Sequence, residues 1–294
     1  MGRFEHEGRK KTFVIFGVAG FLGQEAFLYL QNKMSHHNII GISKKKHPFS
    51  SYIIDITYKD QIQKFIQETQ IDYVLWYAGK SIPSYSTSNE MMAYTINVAA
   101  LGHVLDVLDC DTKLLYPSSR HVYLDSVGIY DENSPLSLDG GVYTRHKIEA
   151  EQMILDRHSN SLITRNFNIL GTNPLPQTFL YDILSQSNHQ KLILQNHRQV
   201  LDVVDRRDAI RAHIHLLCHS DLKHRIYNIS SGRGYEIGYI AEQLINVPKD
   251  SIISVSSNIP SSIIGSPKRL LDTNFQFEYQ ITDTLNWISQ WHFG

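Results

Sequence analysis

Tyr143-Thr144-Arg145-His146-Lys147 sets a phenol and an ammonium four residues apart. On a helix these positions share a face, so the cation would sit beside the phenol and favour its phenolate. A free tyrosine titrates near ~10, too high for ready proton exchange at neutral pH, and a buried neighbouring cation would bring it into use as an acid or base. Upstream, Tyr116-Pro117-Ser118-Ser119-Arg120-His121-Val122-Tyr123 ends an apolar run in hydroxyls. At the C-terminal end of a strand, Ser119 would donate a hydrogen bond to a substrate carbonyl and polarise it. Near the start of the chain lies Gly17-Val18-Ala19-Gly20-Phe21-Leu22-Gly23, spaced GxxGxxG rather than GxGxxG. Glycines there let a pyrophosphate approach the backbone, and the helix that follows offers it unpaired N–H groups and a positive dipole end. An acidic residue about 20 positions on would bind a ribose 2′-hydroxyl and select NAD. That place holds Ser43, followed by Lys44-Lys45-Lys46, which points to NADP rather than NAD.

Such residues need a sheet edge to hold them, and the sequence has the pattern for one. Thr12–Phe16 is a short, continuously apolar run of the kind buried on both faces of a parallel sheet. Further apolar runs at Asn38–Ile42, Tyr52–Ile54, Asp72–Tyr77, Lys113–Tyr116 and Leu162–Arg165 alternate with helical patterns from Phe21, around Ile62–Ile66, near 89–109 and near 143–157. The alternation predicts a Rossmann-like, doubly wound α/β sheet over residues 1–172. After Thr172-Asn173-Pro174-Leu175-Pro176 the rhythm changes. Residues 173–294 read as a smaller α/β substrate lobe with helices near 177–187, 208–218 and 236–245 and strands at Lys191–Leu194, Val200–Val204 and Arg225–Ile229. The segments Val200–Asp208 and Tyr227–Gly232 are expected to interleave with the first domain.

The composition narrows the class. The 294 residues carry 28 Lys+Arg against 29 Asp+Glu, a net charge of −1, which leaves no electrostatic case for nucleic acid or an acidic membrane. Hydrophobic residues at 42% and charged residues at 19% describe a globular chain, not a disordered one. Two cysteines, Cys110 and Cys218, provide neither a disulfide framework nor a CxxC metal site. No apolar run approaches the roughly 20 residues of a membrane span, and the mixed-charge segment Met1–Lys11, read as a loose tail, has no apolar signal core. The expectation is a cytoplasmic protein acting on a small molecule. His215 and His219 flank Cys218 at helical spacing, but no third ligand is apparent and they read as helix-face histidines.

Taken together, these motifs resemble the extended short-chain dehydrogenases/reductases, the NAD(P)-dependent nucleotide-sugar epimerase/dehydratase family. The residues that carry the resemblance are Gly17-x-x-Gly20-Phe21-x-Gly23, Asp55-Ile56, Tyr77-Ala78-Gly79-Lys80-Ser81, Asn97-Val98, Ser118-Ser119-x-x-Val122-Tyr123 and Tyr143-x-x-x-Lys147. Beyond them follow Arg165-Asn166-Phe167-Asn168-Ile169-x-Gly171, Asp202-Val203-Val204 with Asp208, Tyr227-Asn228-Ile229-x-x-Gly232 and Pro267-x-Arg269-x-x-Asp272, so the match spans about residues 11–291. By that resemblance Ser119, Tyr143 and Lys147 are the catalytic triad, and Lys147 also holds the nicotinamide ribose. Asp55 with Ile56 faces the adenine. Ala78, Gly79, Lys80 and Asn97 line the dinucleotide path, beside Gly17, Gly20, Phe21, Leu22, Gly23, Ser43 and Lys44. A nucleotide diphosphate-sugar would meet Lys80, Ser81, Ser119, Arg120, Asn168, Arg206 and Arg269, and the helices near 89–109 and 143–157 would build a homodimer.

The same resemblance orders the reactions. The 4,6-dehydratases carry an acid about two positions after the active-site hydroxyl; here Arg120 and His121 stand there, so dehydration is rejected. Gly41–Lys44, Ala78–Ser81 and Ile264–Arg269 look most like reductases of nucleotide-linked 4-keto-6-deoxysugars, of the GDP-4-keto-6-deoxymannose type. The implied reaction is NADPH-dependent reduction of a C4 ketone. A 4-epimerase with bound NAD is the alternative, and a non-catalytic dinucleotide-binding member the third. Two positions depart from the family. Leu201 stands where an arginine often grips the sugar diphosphate, leaving Arg198 or Arg206 to substitute or the nucleotide to sit differently. Leu124 replaces the usual glycine after the Val-Tyr pair. The base stays open among GDP, dTDP, CDP and UDP.

Overall fold

The computed structural model describes residues 9–124, 127–256 and 262–294. Most of the segment read as a loose tail lies outside those residues. In chain order the first part runs β1 (Thr12–Phe16), α1 (Phe21–Lys33), β2 (Asn38–Ser43), β3 (Tyr52–Ile53), α2 (Lys59–Glu68), β4 (Tyr73–Trp76), α3 (Pro83–Ser88), α4 (Glu90–Tyr94), a π-helical turn (Thr95–Ala99), α5 (Ala100–Leu105), β5 (Lys113–Ser119), β6 (Gly128–Tyr130), α6 (Val142–Arg157) and β7 (Ser161–Asn166). The remainder is β8 (Asn168–Leu170), α7 (Phe179–Ser185), β9 (Leu192–Leu194), β10 (Val200–Asp205), α8 (Arg206–Cys218), β11 (Ile226–Ile229), β12 (Gly234–Glu236), α9 (Ile237–Ile245), β13 (Ile252–Ser254), β14 (Ser262–Gly265), α10 (Lys268–Leu271) and α11 (Ile281–Phe293).

Seven strands form one parallel sheet in the order β11-β7-β5-β4-β1-β2-β3. Phe13, Val14, Ile15 and Phe16 of β1 have no solvent exposure, because helices cover both faces of the sheet. On one face Phe16, Trp76 and Tyr116 meet Phe65 of α2, Leu101 and Val104 of α5 and Ile154 of α6. Against the other face pack Ala26 and Leu30 of α1 and Ile210 and Ile214 of α8. The strand order reverses between β1 and β4, and the loops at the C-terminal ends of those two strands form the crevice where such sheets bind ligands.

A second sheet, β12-β10-β14-β6 with β8 also paired to β10, stands beyond that edge, and β9 with β13 makes a two-stranded ribbon. Its short strands lack the continuous apolar runs of the large sheet, and β6, β8, β12, β13 and β14 are not among the strands that the sequence pattern predicts. The chain crosses between the two sheets more than once. β6 leaves the first part for the second sheet, β11 returns to the edge of the large one, and α8 packs on α1. Asp202 of β10 holds the crossing together: its carboxylate accepts from the Ser231, Gly232 and Gly265 N–H groups and the Ser231 hydroxyl. Among the described residues, no helix is long and apolar enough to cross a membrane.

Candidate active site

The glycine loop is shaped by contacts that leave no room for side chains. Gly17 adopts φ +84°, and a Cβ there would lie 2.7 Å from the Ala78 nitrogen; at Gly23 it would lie 2.2 Å from the Gly17 oxygen. Gly20 caps α1 without any side-chain bond, and no acidic residue occupies the first helical turn. The start of α1 is therefore open to an anion. Opposite, β4 ends in Tyr77-Ala78-Gly79-Lys80. Asn97, on the π-helical turn, pins this loop by accepting from the Lys80 N–H at 2.7 Å and donating to the Lys80 carbonyl at 3.2 Å.

The three residues expected to act together do converge. Ser119 ends β5, Tyr143 lies in the first turn of α6, and Lys147 follows one turn later. All three line one cleft of about 580 Å³ with Gly20, Phe21 and Leu22 of the loop. Ser119 hydrogen-bonds Tyr143, yet burial dominates and pushes the phenol up to about 12. Burial also draws Lys147 down to about 8, against the pull of Glu151. The Lys147 Nζ donates to the Pro117 carbonyl at 2.7 Å and stands over the Tyr116 ring, 4.5 Å from its centroid, and 5.9 Å from the Tyr143 centroid. The expectation that the lysine lowers the tyrosine is thus outweighed: the ammonium is turned to Pro117 and Tyr116, while burial raises the phenol.

The cleft's charge is one-sided. Among the described residues lining it are Lys80, Arg120 and Lys147, and no carboxylate. A smaller cavity of about 260 Å³ adjoins it, sharing Arg120, His121 and Tyr143, and it too has no acidic lining residue. Two floor residues, Trp76 and Ser118, carry buried polar atoms, Nε1 and Oγ, that find no partner in the protein. The glycine cradle, the open helix start and these unpaired polar groups together fit a dinucleotide with a polar ribose end.

Other expected residues fall in three groups. Ala78, Gly79, Ser81 and Asn168 line the cleft, with the Asn168 amide donating to the Asp202 carbonyl at 2.9 Å. Ser43, Lys44 and Asp55 cluster at the ends of β2 and β3, where the Lys44 Nζ pairs with the Asp55 carboxylate at 2.8 Å and the Ser43 hydroxyl bonds the Lys45 carbonyl at 2.6 Å. Ile56 packs against the core on the α2 side of the sheet. Arg206 and Arg269 are not brought to the cleft. Arg206 pairs with Glu25 and bonds both oxygens of Thr172, and Arg269 pairs with Glu132 and donates to Asn133 and the Ile226 carbonyl. Leu201 lies in the hydrophobic core of the second lobe, 4% exposed.

Sequence reasoning missed part of the wall: Asn166, Phe167 and the stretch Pro174–Leu180. Within that stretch the Gln177 side chain accepts from the Ser84 hydroxyl at 2.5 Å, linking α3 to the opposite side of the mouth. The Pro-rich breaker at 174–176 signalled an irregular loop but not where it would lie.

Comparison with known proteins agrees with this layout. A UDP-glucose 4-epimerase of Oryza sativa subsp. japonica is 22% identical to the chain, covering 98% of it and 92% of that protein. Solved structures share the fold: RMD from Pseudomonas aeruginosa complexed with NADPH (TM-score 0.81, 21% identity, 96% of this chain and 99% of that one) and UDP-glucose 4-epimerase from Bifidobacterium longum in complex with NAD+ and UDP (TM-score 0.83, 18% identity, 96% and 98%). A family model described as the NAD dependent epimerase/dehydratase family matches residues 13–230. With its glycine cradle, its Ser-Tyr-Lys cleft and a family match across most of its length, the chain belongs to the NAD dependent epimerase/dehydratase family.

Proposed function

We propose that the protein uses NADPH to reduce the C4 ketone of a nucleotide-linked 4-keto-6-deoxysugar. The observation that carries this reading is the convergence of Ser119, Tyr143 and Lys147 in a cleft whose charged lining, among the described residues, is cationic. The dinucleotide, held by the glycine loop and Lys147, supplies the hydride when bound. Ser119 and Tyr143 hold the carbonyl oxygen. Tyr143, pushed up to about 12, keeps its proton until negative charge develops on that oxygen and then gives it up. Lys147, one helical turn from Tyr143, would hold the nicotinamide ribose and return a proton to the phenol. Lys80 and Arg120 receive the anionic part of the substrate.

The preference for NADPH over NADH rests on the Lys44–Lys46 run after Ser43, of which Lys44 is already paired with Asp55. The second lobe, from β8 onward without β11 and α8, closes the substrate end of the cleft. A homodimer through α4–α5 and α6 is part of the proposal, supported by exposed Met91 and Met92 on α4. A cytoplasmic setting is supported by the two free cysteines.

Steady-state NADPH oxidation with GDP-, dTDP-, CDP- and UDP-linked 4-keto-6-deoxysugars tests the reading. One of the four should be reduced, and Tyr143→Phe should lower the rate at least a hundredfold while leaving NADPH affinity intact. Failure of all four sinks it. The likeness to a UDP-glucose 4-epimerase favours a second reading, C4 epimerisation. It would show as tightly held NAD in the purified protein and sugar interconversion without net consumption of cofactor.

A further inference from the structure

Arg206 opens α8 and is 8% exposed. A cation there is unfavourable on two counts: it is taken out of water, and it stands at the helix end where the dipole favours negative charge. All three guanidinium nitrogens are engaged, yet the side chain does not line the cleft. Nε donates to the Glu25 carboxylate at 3.1 Å, Nη1 to the Thr172 carbonyl at 2.9 Å and Nη2 to the Thr172 hydroxyl at 3.0 Å. The same group stands over the Phe21 ring, 4.7 Å from its centroid, and over the Trp287 ring of α11 at 5.3 Å. Gly171 permits the approach, since a Cβ there would lie 3.0 Å from the Arg206 Cβ.

These partners belong to two different walls of the cleft. Phe21 is the first residue of α1, where the helix start is open to an anion, and Glu25 lies one turn further along the same helix. Thr172 comes just before Pro174–Leu180, the wall on the side of the second lobe. The chain from Gly171 to Thr178 belongs to no strand or helix, so its placement depends on side-chain ties. The Arg206 fork holds its root, and the bond from Ser84 to Gln177 holds it further on.

We propose that Arg206 is a positioning residue that couples the two binding ends of the cleft. A dinucleotide seated on the glycine loop fixes Phe21, and through the guanidinium it fixes the wall that meets the nucleotide-sugar. The plane that stacks on Phe21 and pairs with Glu25 is also the plane in which Nη1 and Nη2 both reach Thr172. Whichever ligand binds second meets a wall already in place, so the effect is reciprocal. A lysine could not serve, having a point charge where the arginine presents a rigid planar fork. This proposal rests on the reading that the cleft takes a nucleotide-sugar beside the dinucleotide.

A binding cycle by titration calorimetry tests it on the intact protein. NADP+ is titrated alone, and GDP, dTDP, CDP and UDP are each titrated without NADP+ and with NADP+ saturating. One diphosphate should bind at least about fivefold tighter with NADP+ present. In Arg206→Met and Arg206→Lys that ratio should fall to within about twofold of one, while each ligand alone keeps its affinity within about threefold. Thr172→Val removes one acceptor and leaves the arginine in place; it should at least halve the ratio, and it carries the test if the Arg206 variants do not fold. An arginine that only stabilises the fold would lower the melting temperature and leave the ratio intact. That result overturns the proposal, as does a wild-type ratio of one, or a variant that loses its affinity for either ligand alone. A wild type that binds NADP+ and none of the four diphosphates overturns the nucleotide-sugar reading, and the coupling with it.

Discussion

At the scale of single residues, burial sets the acid–base behaviour of the site. Tyr143 stays protonated across the working range, and the charge that can vary near neutral pH is on Lys147, drawn down to about 8. Below that value the lysine is an ammonium and the relay back to the phenol is complete; above it the relay is lost. The reductive rate should therefore be level from about pH 6 to 7 and fall roughly tenfold per unit above about 8. A pH–rate profile of kcat checks this, and Lys147→Met should abolish that limb together with most of the rate. Ser119, Tyr143 and Lys147 were readable in advance because a short spacing on one helix and a hydroxyl at a strand end fix where side chains point. Arg206 and Arg269 were not. Their guanidiniums answer to Glu25 and Glu132, residues more than a hundred positions away in the chain, and no local pattern records such partners.

At the scale of elements, α6 carries the site and must be held still. One turn beyond Lys147, Glu151 forms a buried pair with Arg165 of β7, both side chains 4% exposed, the closest N–O approach being 2.7 Å. Arg165 also donates to the Tyr123 hydroxyl and the Glu132 carbonyl, so one guanidinium ties α6, β7 and the loop after β5 together. Removing the carboxylate strands that cation. Glu151→Ala should cost about 3 kcal/mol or more in urea unfolding, whereas an exposed pair such as Lys268–Asp272 should cost under about 1 kcal/mol when broken. The long elements of the large sheet were legible because continuous apolar runs and helical stripes repeat over enough residues. The second sheet was legible only as fragments. Its three- and four-residue strands, such as β6 and β14, pair with segments more than a hundred positions distant and carry little pattern of their own.

At the scale of the whole molecule, a buried polar network ties α8 to the large sheet behind the cleft. His213 of α8, with no solvent exposure, shares hydrogen bonds with the Tyr77 hydroxyl at 3.0 Å, Thr164 at 3.1 Å and Asn166 at 3.0 Å. Burial lowers it to about 3. Its folded pKa lies below the unfolded value near ~6.5, so its contribution to stability is present above that pH and is lost as the pH falls, by up to about 1.4 kcal/mol per unit. Asp202, pushed up to about 6 by burial, acts with the opposite sign over the lower part of that range. Thermal unfolding between pH 7 and 5 should therefore show a steeper loss in wild type than in His213→Gln, and equal slopes would remove His213 as the cause.

The near-zero net charge of the chain says nothing of how its cations are placed, and the cleft gathers three of them with no carboxylate on its described walls. That gathering, around Ser119, Tyr143 and Lys147, is what the proposed reduction depends on. The most direct test supplies NADPH deuterated at its transferable position together with the turned-over ketosugar nucleotide, and locates the label by NMR. The account predicts one deuterium at C4 of the product for each NADPH oxidised. A C4 epimer formed with no deuterium and no loss of NADPH would contradict it.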